Sequence, residues 1–95
     1  MRRSLKGIFE NKSILITGAT GFFGVHCLAK ILSNSKPKKI VVYSRDELKQ
    51  FQLAQKFPEN SYPIRYFLGD IRDRERLIRA CNNIDIIIHA AAMKQ

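Results

Sequence analysis

The fold is decided by residues 13–24, Ser13 to Gly24, which read SILITGATGFFG. A short aliphatic run comes first, and the glycine at position 18 stops it. From Phe22 to Leu32 the apolar residues then recur at helical spacing, until the polar segment Ser33–Ser35 ends the pattern. The stretch therefore predicts a strand, a glycine-rich turn and a helix in immediate succession.

The same alternation continues along the rest of the chain. The predicted elements are strands at Ile40–Tyr43, Pro63–Leu68 and Ile84–Ile88, a helix capped by Ser44 or Asp46 that ends near Phe57, and a helix from Asp73 to about Asn82. The order βαβαβαβ indicates an α/β fold, an incomplete doubly wound (Rossmann) parallel sheet with right-handed crossovers and helices on both faces. In the usual winding order the first strand lies between the second and the fourth.

Length and composition fit one globular unit, since 95 residues are 45% hydrophobic and 26% charged. Seventeen Lys and Arg against eight Asp and Glu give a net charge of +9, which favours an anionic partner. Nucleic acid, acidic lipid and a phosphorylated cofactor all qualify. The arginines between positions 72 and 79 alternate with acidic residues, as expected of a solvated helix face, and no nucleic-acid motif accompanies the charge.

The two cysteines, Cys27 and Cys81, lack the spacing of a metal site, so we expect no metal and no disulfide. No run approaches the roughly 18 apolar residues of a membrane helix, and the first residues lack the apolar core of a secretory signal. We therefore expect a cytoplasmic protein with no membrane partner.

The turn after the first strand has the spacing TGxxGxxG, in the strand-to-helix context that a dinucleotide fingerprint requires. Gly18 permits the tight turn, Gly21 lets the backbone approach a pyrophosphate, and Gly24 allows the helix to pack closely. The backbone N–H groups of Thr20–Phe23 and the positive end of the helix dipole would then solvate the phosphates. The alternative is a glycine turn with a purely structural role.

The end of the second strand distinguishes NAD from NADP, because an acid there binds the ribose 2′-hydroxyl, whereas arginine accommodates a 2′-phosphate. Ser44 offers a hydroxyl, and Arg45 and Lys49 stand four apart at a helix start, where both can face one phosphate. Asp46 argues the other way, although an acid in the first turn also suits the helix dipole. We predict NADP.

Two further positions lie at the carboxyl ends of strands, where ligands bind in open α/β sheets. Asp70 and Ile71 can receive the adenine edge, although Asp70 could instead cap a helix. Ala90–Ala92 leave room for the cofactor's ribose and phosphates, although small residues also suit plain close packing. Lys94 follows in the same crevice.

Four segments together resemble a known family: TGATGFFG, YSRDELKQ, RYFLGDIRDRERL and IIIHAAAMKQ. The chain is similar, from about Lys12 to Gln95, to the N-terminal part of the inverting UDP-N-acetylglucosamine 4,6-dehydratases, extended short-chain dehydrogenases of polysaccharide biosynthesis. It departs from the family's usual TGGTGSFG at Ala19 and Phe22. On this basis we divide the chain into a basic N-terminal extension, residues 1–11, and the N-terminal part of an NADP-binding Rossmann domain, residues 12–95.

The resemblance implies a set of NADP contacts in this sequence. They are Thr20, Gly21, Phe22, Phe23, Ser44, Arg45, Asp46, Glu47, Leu48, Lys49, Asp70, Ile71 and Ala90, with Lys94 reaching both cofactor and sugar nucleotide. The family oxidises the sugar at C4, eliminates water across C5 and C6 and returns the hydride to C6, with a tyrosine base four residues before a lysine and an Asp-Lys pair.

No Tyr-x-x-x-Lys occurs in this chain, whose tyrosines are followed four positions later by Glu47, Tyr66 and Asp70. We therefore expect no catalytic residue here and interpret the chain as a truncated, NADP-binding portion of such a lyase, inactive alone. A UDP-sugar substrate and a homo-oligomer are expected only of a complete enzyme. The alternative is a small, non-catalytic NADP-binding sensor or regulatory module.

Overall fold

The computed structural model describes residues 5–90, in which helices and strands alternate after a short N-terminal helix. The helices are α1 (Leu5–Phe9), α2 (Phe22–Asn34), α3 (Glu47–Lys56) and α4 (Arg74–Ala80), and the strands are β1 (Ser13–Thr17), β2 (Lys39–Ser44), β3 (Ile64–Leu68) and β4 (Ile86–His89). The predicted elements are all present. Strand β4 starts two residues later than predicted, because the left-handed Asn83 (φ 60°) still belongs to the preceding turn.

The described strands form one parallel sheet in the order β3-β2-β1-β4. Ile14 in β1 stands beside Ile40 in β2 on one side and Ile86 in β4 on the other. The first strand thus lies between the second and the fourth, and the Rossmann-like sheet with alternating helices is confirmed.

Each face of the sheet packs against helices because successive strand residues point to opposite sides. On one face, a buried cluster joins strand residues with α2 and α3: Ile14, Ile16, Ile40, Val42, Ile64, Leu28, Ile31 and Leu53. On the other face, Leu15, Val41 and Tyr43 pack against Ala80 of α4. The predicted covering of both faces is therefore present.

Helix α1 was not predicted and lies within residues 1–11, the expected extension. Phe9 at its end is 8% exposed and belongs to the buried cluster beneath α2. The chain then turns through Asn11, whose backbone N–H donates to the carbonyl of Lys36 at 2.9 Å. Part of this segment is thus packed onto the domain, and the proposed boundary at residue 12 stays a prediction.

Two apolar positions are more exposed than the sequence pattern indicates. Ile78 of α4 is 61% exposed, and Ala80 is the buried residue of that helix. Ile87 in β4 is 57% exposed, because β4 is an edge strand among the described residues.

No helix within residues 5–90 is long and apolar enough to cross a membrane.

Candidate functional site

A cleft of about 800 Å³ lies at the carboxyl ends of the strands, at the glycine-rich turn. Thirteen of the predicted site residues line it: Gly18, Thr20, Gly21, Phe22, Phe23, Gly24, Ser44, Arg45, Asp46, Lys49, Asp70, Ile71 and Ala90. The predicted contacts Glu47 and Leu48 are not among its lining residues, and Leu48 is 65% exposed. Lys94 lies outside the described residues.

The turn between β1 and α2 requires glycine at two positions for different reasons. Gly18 has φ 73°, a left-handed conformation that is strained for residues with a side chain. A Cβ on Gly24 would lie 2.3 Å from the carbonyl oxygen of Gly18 and 2.4 Å from the Cα of Ala19. Close contact between the helix and the turn thus excludes any side chain at Gly24, in agreement with the role predicted for it.

The first turn of α2 faces this cleft with backbone donors. Gly21 is the N-cap and supplies no side chain to satisfy them. Its carbonyl accepts from Val25 at 2.9 Å, whereas within residues 5–90 no protein acceptor is found for the N–H groups of Phe22 and Phe23. Uncapped N–H groups at the positive end of a 13-residue helix are the arrangement that binds anions.

Asp46, the one acid that argues against NADP, is the N-cap of α3 in the structure. Its carboxylate accepts a hydrogen bond from the backbone N–H of Lys49 at 3.0 Å. One carboxylate oxygen is therefore used by the helix start. Arg45 beside it carries a side chain that is 71% exposed.

Asp70 is held by two arginines. Its carboxylate accepts from the backbone N–H of Arg72 at 2.8 Å and from the guanidinium at 2.9 and 3.1 Å. Arg45 donates to it at 3.3 Å. These hydrogen bonds and the Arg72 charge hold the pKa of the Asp70 carboxyl well below its usual range. The alternative of helix capping does not apply, because Asp73 caps α4 by accepting from Arg76.

Three lining residues were missed by the sequence reasoning: Tyr43, Gly69 and Arg72. The hydroxyl of Tyr43, a fully buried residue, donates to the carbonyl of Asp70 at 2.8 Å. A Cβ on Gly69 would lie 2.6 Å from that hydroxyl, so glycine makes room for the ring. The position of Gly69 directly after β3 was the sequence signal that could have placed it at the cleft. Arg72 was instead assigned to a solvated helix face.

The carboxyl ends of β1 and β4 are joined by a side-chain hydrogen bond. Thr17 Oγ1 lies 2.5 Å from Nδ1 of His89, and Ala90 directly after it is 4% exposed. His89 thus has a structural partner within the sheet. In the part of the chain that the structure describes, no cluster of three or more His, Cys, Asp or Glu residues could hold a metal ion.

Comparisons with known proteins fit this architecture. The chain is 55% identical over 87 residues to the inverting UDP-N-acetylglucosamine 4,6-dehydratase of Campylobacter jejuni, over 92% of this chain and 25% of that protein. UDP-glucose 4-epimerase of Rickettsia bellii is 37% identical over 91 residues, 93% of this chain and 26% of that protein. The X-ray structure of Pen from Bacillus thuringiensis matches with a TM-score of 0.82 and 42% identity, covering 92% of this chain and 27% of that one.

The chain thus spans about a quarter of the length of the curated relatives it matches. The family model described as polysaccharide biosynthesis protein matches residues 14–95, which include the four described strands except Ser13 at the start of β1, and all residues that line the cleft. With the parallel sheet, the glycine-rich turn and this match in agreement, the chain belongs to the polysaccharide biosynthesis protein family.

Proposed function

We propose that these 95 residues form the NADP-binding portion of a nucleotide-sugar 4,6-dehydratase whose complete form acts on UDP-N-acetylglucosamine. The observation that carries the proposal is one cleft that contains both the uncapped start of α2 and the basic end of β2. A dehydratase is favoured over an epimerase because the identity to the C. jejuni dehydratase is 55%, against 37% for the R. bellii epimerase.

The start of α2 suits the pyrophosphate. The N–H groups of Phe22 and Phe23 can donate to phosphate oxygens, and the helix dipole favours negative charge there. Gly21 has ordinary φ −80°, and a Cβ on it would meet protein only at 3.5 Å. The protein packing itself therefore tolerates a side chain at Gly21, which supports the proposal that glycine is there for the approach of a ligand.

The end of β2 suits a 2′-phosphate better than a 2′-hydroxyl. Arg45, Lys49 and the Ser44 hydroxyl line the same cleft, and the two cations attract a dianion. Asp46 would be the acid expected of an NAD site, but its carboxylate caps α3 through Lys49. Arg72 adds positive charge to the wall of the cleft beside Asp70.

We propose that the chain binds cofactor without catalysing dehydration. A bound nicotinamide dinucleotide would supply the acceptor and donor of hydride. The Tyr43 hydroxyl donates to the Asp70 carbonyl and the Tyr66 hydroxyl to the Phe57 carbonyl at 2.7 Å. Burial raises the pKa of both phenols, that of Tyr66 to about 12, so neither serves as a base near neutral pH.

Three expectations complete the proposal. Lys94 contacts cofactor and sugar nucleotide in the complete enzyme, and nucleic acid and membrane are not partners. The protein works in the cytoplasm, whose reducing conditions suit the two free thiols, Cys27 and Cys81.

The test is a titration of the 95-residue chain with NADPH and with NADH, followed by dinucleotide fluorescence. We expect saturable binding of NADPH that Arg45→Ala weakens about tenfold, as expected when a charged hydrogen bond is lost, with a much smaller effect on NADH. The matched control is Arg79→Ala, an exposed arginine of α4 that does not line the cleft.

Three results would contradict parts of the proposal. Absence of saturable binding by the unaltered chain removes the cofactor site. Equal losses for NADPH and NADH in Arg45→Ala remove the 2′-phosphate contact. Conversion of UDP-N-acetylglucosamine to a 4-keto-6-deoxy sugar by the chain alone shows that it is catalytic.

A further inference from the structure

Gln50 of α3, the last residue of the YSRDELKQ segment, carries a buried side-chain amide and was not among the predicted site residues. The residue is 8% exposed, and its nitrogen, Nε2, reaches three oxygens at the carboxyl ends of β2 and β3. It lies 2.9 Å from the hydroxyl of Ser44, 3.3 Å from the carbonyl of Ser44 and 3.2 Å from the carbonyl of Phe67. Gln50 therefore connects α3 to two neighbouring strands directly behind the cleft.

These partners fix the direction of the hydrogen bond to Ser44. Backbone carbonyls only accept, so the amide atom that contacts two of them must be the donating nitrogen rather than the oxygen. The Ser44 hydroxyl, bonded to the same nitrogen, consequently acts as an acceptor from Gln50. A hydroxyl has one proton of its own, and within residues 5–90 no acceptor for that proton is found.

We infer that Gln50 is a positioning residue that makes the Ser44 hydroxyl a donor toward the ligand. Ser44 lines the cleft next to Arg45. Gln50 donates to a lone pair on the side of the Ser44 hydroxyl away from the cleft, so the hydroxyl proton can point into the cleft. The ligand group at this point must accept hydrogen bonds, which is what every ionised phosphate oxygen does. A ribose 2′-hydroxyl gains less binding energy from this donor than a phosphate oxygen does, because its own proton also needs an acceptor.

The inference rests on the proposed function and deepens it, because it assigns part of the preference for a 2′-phosphate to a residue outside the cleft lining. Without the amide, the Phe67 carbonyl loses its side-chain donor. That carbonyl is a neighbour of the Ser44 hydroxyl, since both bind the same nitrogen, and it competes for the hydroxyl proton. Loss of Gln50 therefore has the same consequence for the ligand as loss of the hydroxyl.

A double-mutant cycle tests this with Ser44→Ala, Gln50→Met and the double variant of the 95-residue chain. We expect each single substitution to lower NADPH affinity about tenfold and NADH affinity less than about threefold. The double variant should also lose about tenfold in NADPH affinity and not about a hundredfold, because both changes remove the same hydrogen bond, the one from the Ser44 hydroxyl to the ligand. Gln52→Met, the same substitution at an exposed position of α3, is the matched control and should bind as the unaltered chain does.

Several outcomes overturn the inference. They are unchanged NADPH affinity in folded Gln50→Met, additive losses in the double variant, and equal losses for NADPH and NADH. Failure of the unaltered chain to bind NADPH removes the proposed function as well, which separates the two failures.

A second variant keeps the test decisive where Gln50→Met does not fold. Gln50→Lys retains a donor nitrogen with three protons for the three acceptor oxygens. In that background the Ser44 hydroxyl should still donate to the ligand, so Ser44→Ala should again cost about tenfold in NADPH affinity. Loss of the Ser44 effect in this background overturns the inference.

Discussion

Replacing Gly24 by alanine places a methyl group where the turn leaves no space. The new Cβ would lie 2.3 Å from the carbonyl oxygen of Gly18 and 2.4 Å from the Cα of Ala19. Both obstacles are backbone atoms, so rotation of a side chain cannot relieve the overlap. The first turn of α2 must shift away from the end of β1, together with the N–H groups that face the cleft.

Two opposing contributions set the size of the effect. Alanine is a better helix former than glycine by at most about 1 kcal/mol. Overpacking costs about 1–3 kcal/mol, and backbone obstacles on both sides place Gly24 near the upper end of this range. The net destabilisation should therefore be about 2 kcal/mol. For a domain of this size, that corresponds to a fall in Tm of roughly 8–16 °C.

Urea unfolding followed by circular dichroism measures this change in the free energy of unfolding. The matched control is Gly7→Ala in α1, where the added Cβ has no described neighbour within 4 Å apart from the adjacent residues and the backbone of its own helix. Helix propensity alone should leave that variant unchanged or up to about 1 kcal/mol more stable. Equal midpoints for Gly24→Ala and Gly7→Ala would refute the steric reasoning, as would undiminished NADPH affinity in a destabilised Gly24→Ala.

Two predictions concern pH. The pKa of Asp70 is lowered from 3.8 by Arg72 and Arg45, so its stabilising contribution is present above about pH 4 and is lost as pH falls through the folded pKa. The difference in the free energy of unfolding between the unaltered chain and Asp70→Asn should be constant from pH 7 to about pH 5 and should disappear in stronger acid. A difference that increases in acid would contradict this. The pKa of Tyr66 is raised from 10.0 to about 12, so its contribution is complete below pH 10 and is lost as pH rises through 12. Tyr66→Phe should cost about 1 kcal/mol at pH 7, because the hydrogen bond to the Phe57 carbonyl is lost, and this cost should fall as pH rises above 10. A difference in urea unfolding that does not change with pH would contradict this.

Much of the site follows from local sequence. Alternating apolar runs and helical periodicity predict the elements and their order, since each element's period is a property of a few neighbouring residues. The carboxyl ends of parallel strands share one edge of the sheet, so the glycine turn, the end of β2 and Asp70 were expected to meet. Thirteen of the predicted residues do line one cleft. Glu47 and Leu48 do not, because successive helix residues point in different directions.

By itself, the sequence determined the strand-turn-helix unit, the winding order and the positions of Gly18 and Gly24, because strand and helix periods and glycine conformations are local properties. Only the tertiary structure decided how polar groups are paired. It directs Asp46 to the start of α3, gives Asp70 two arginines and places the Gln50 amide on the hydroxyl of Ser44. Hydrogen-bond partners of this kind depend on packing between elements that lie far apart in the chain.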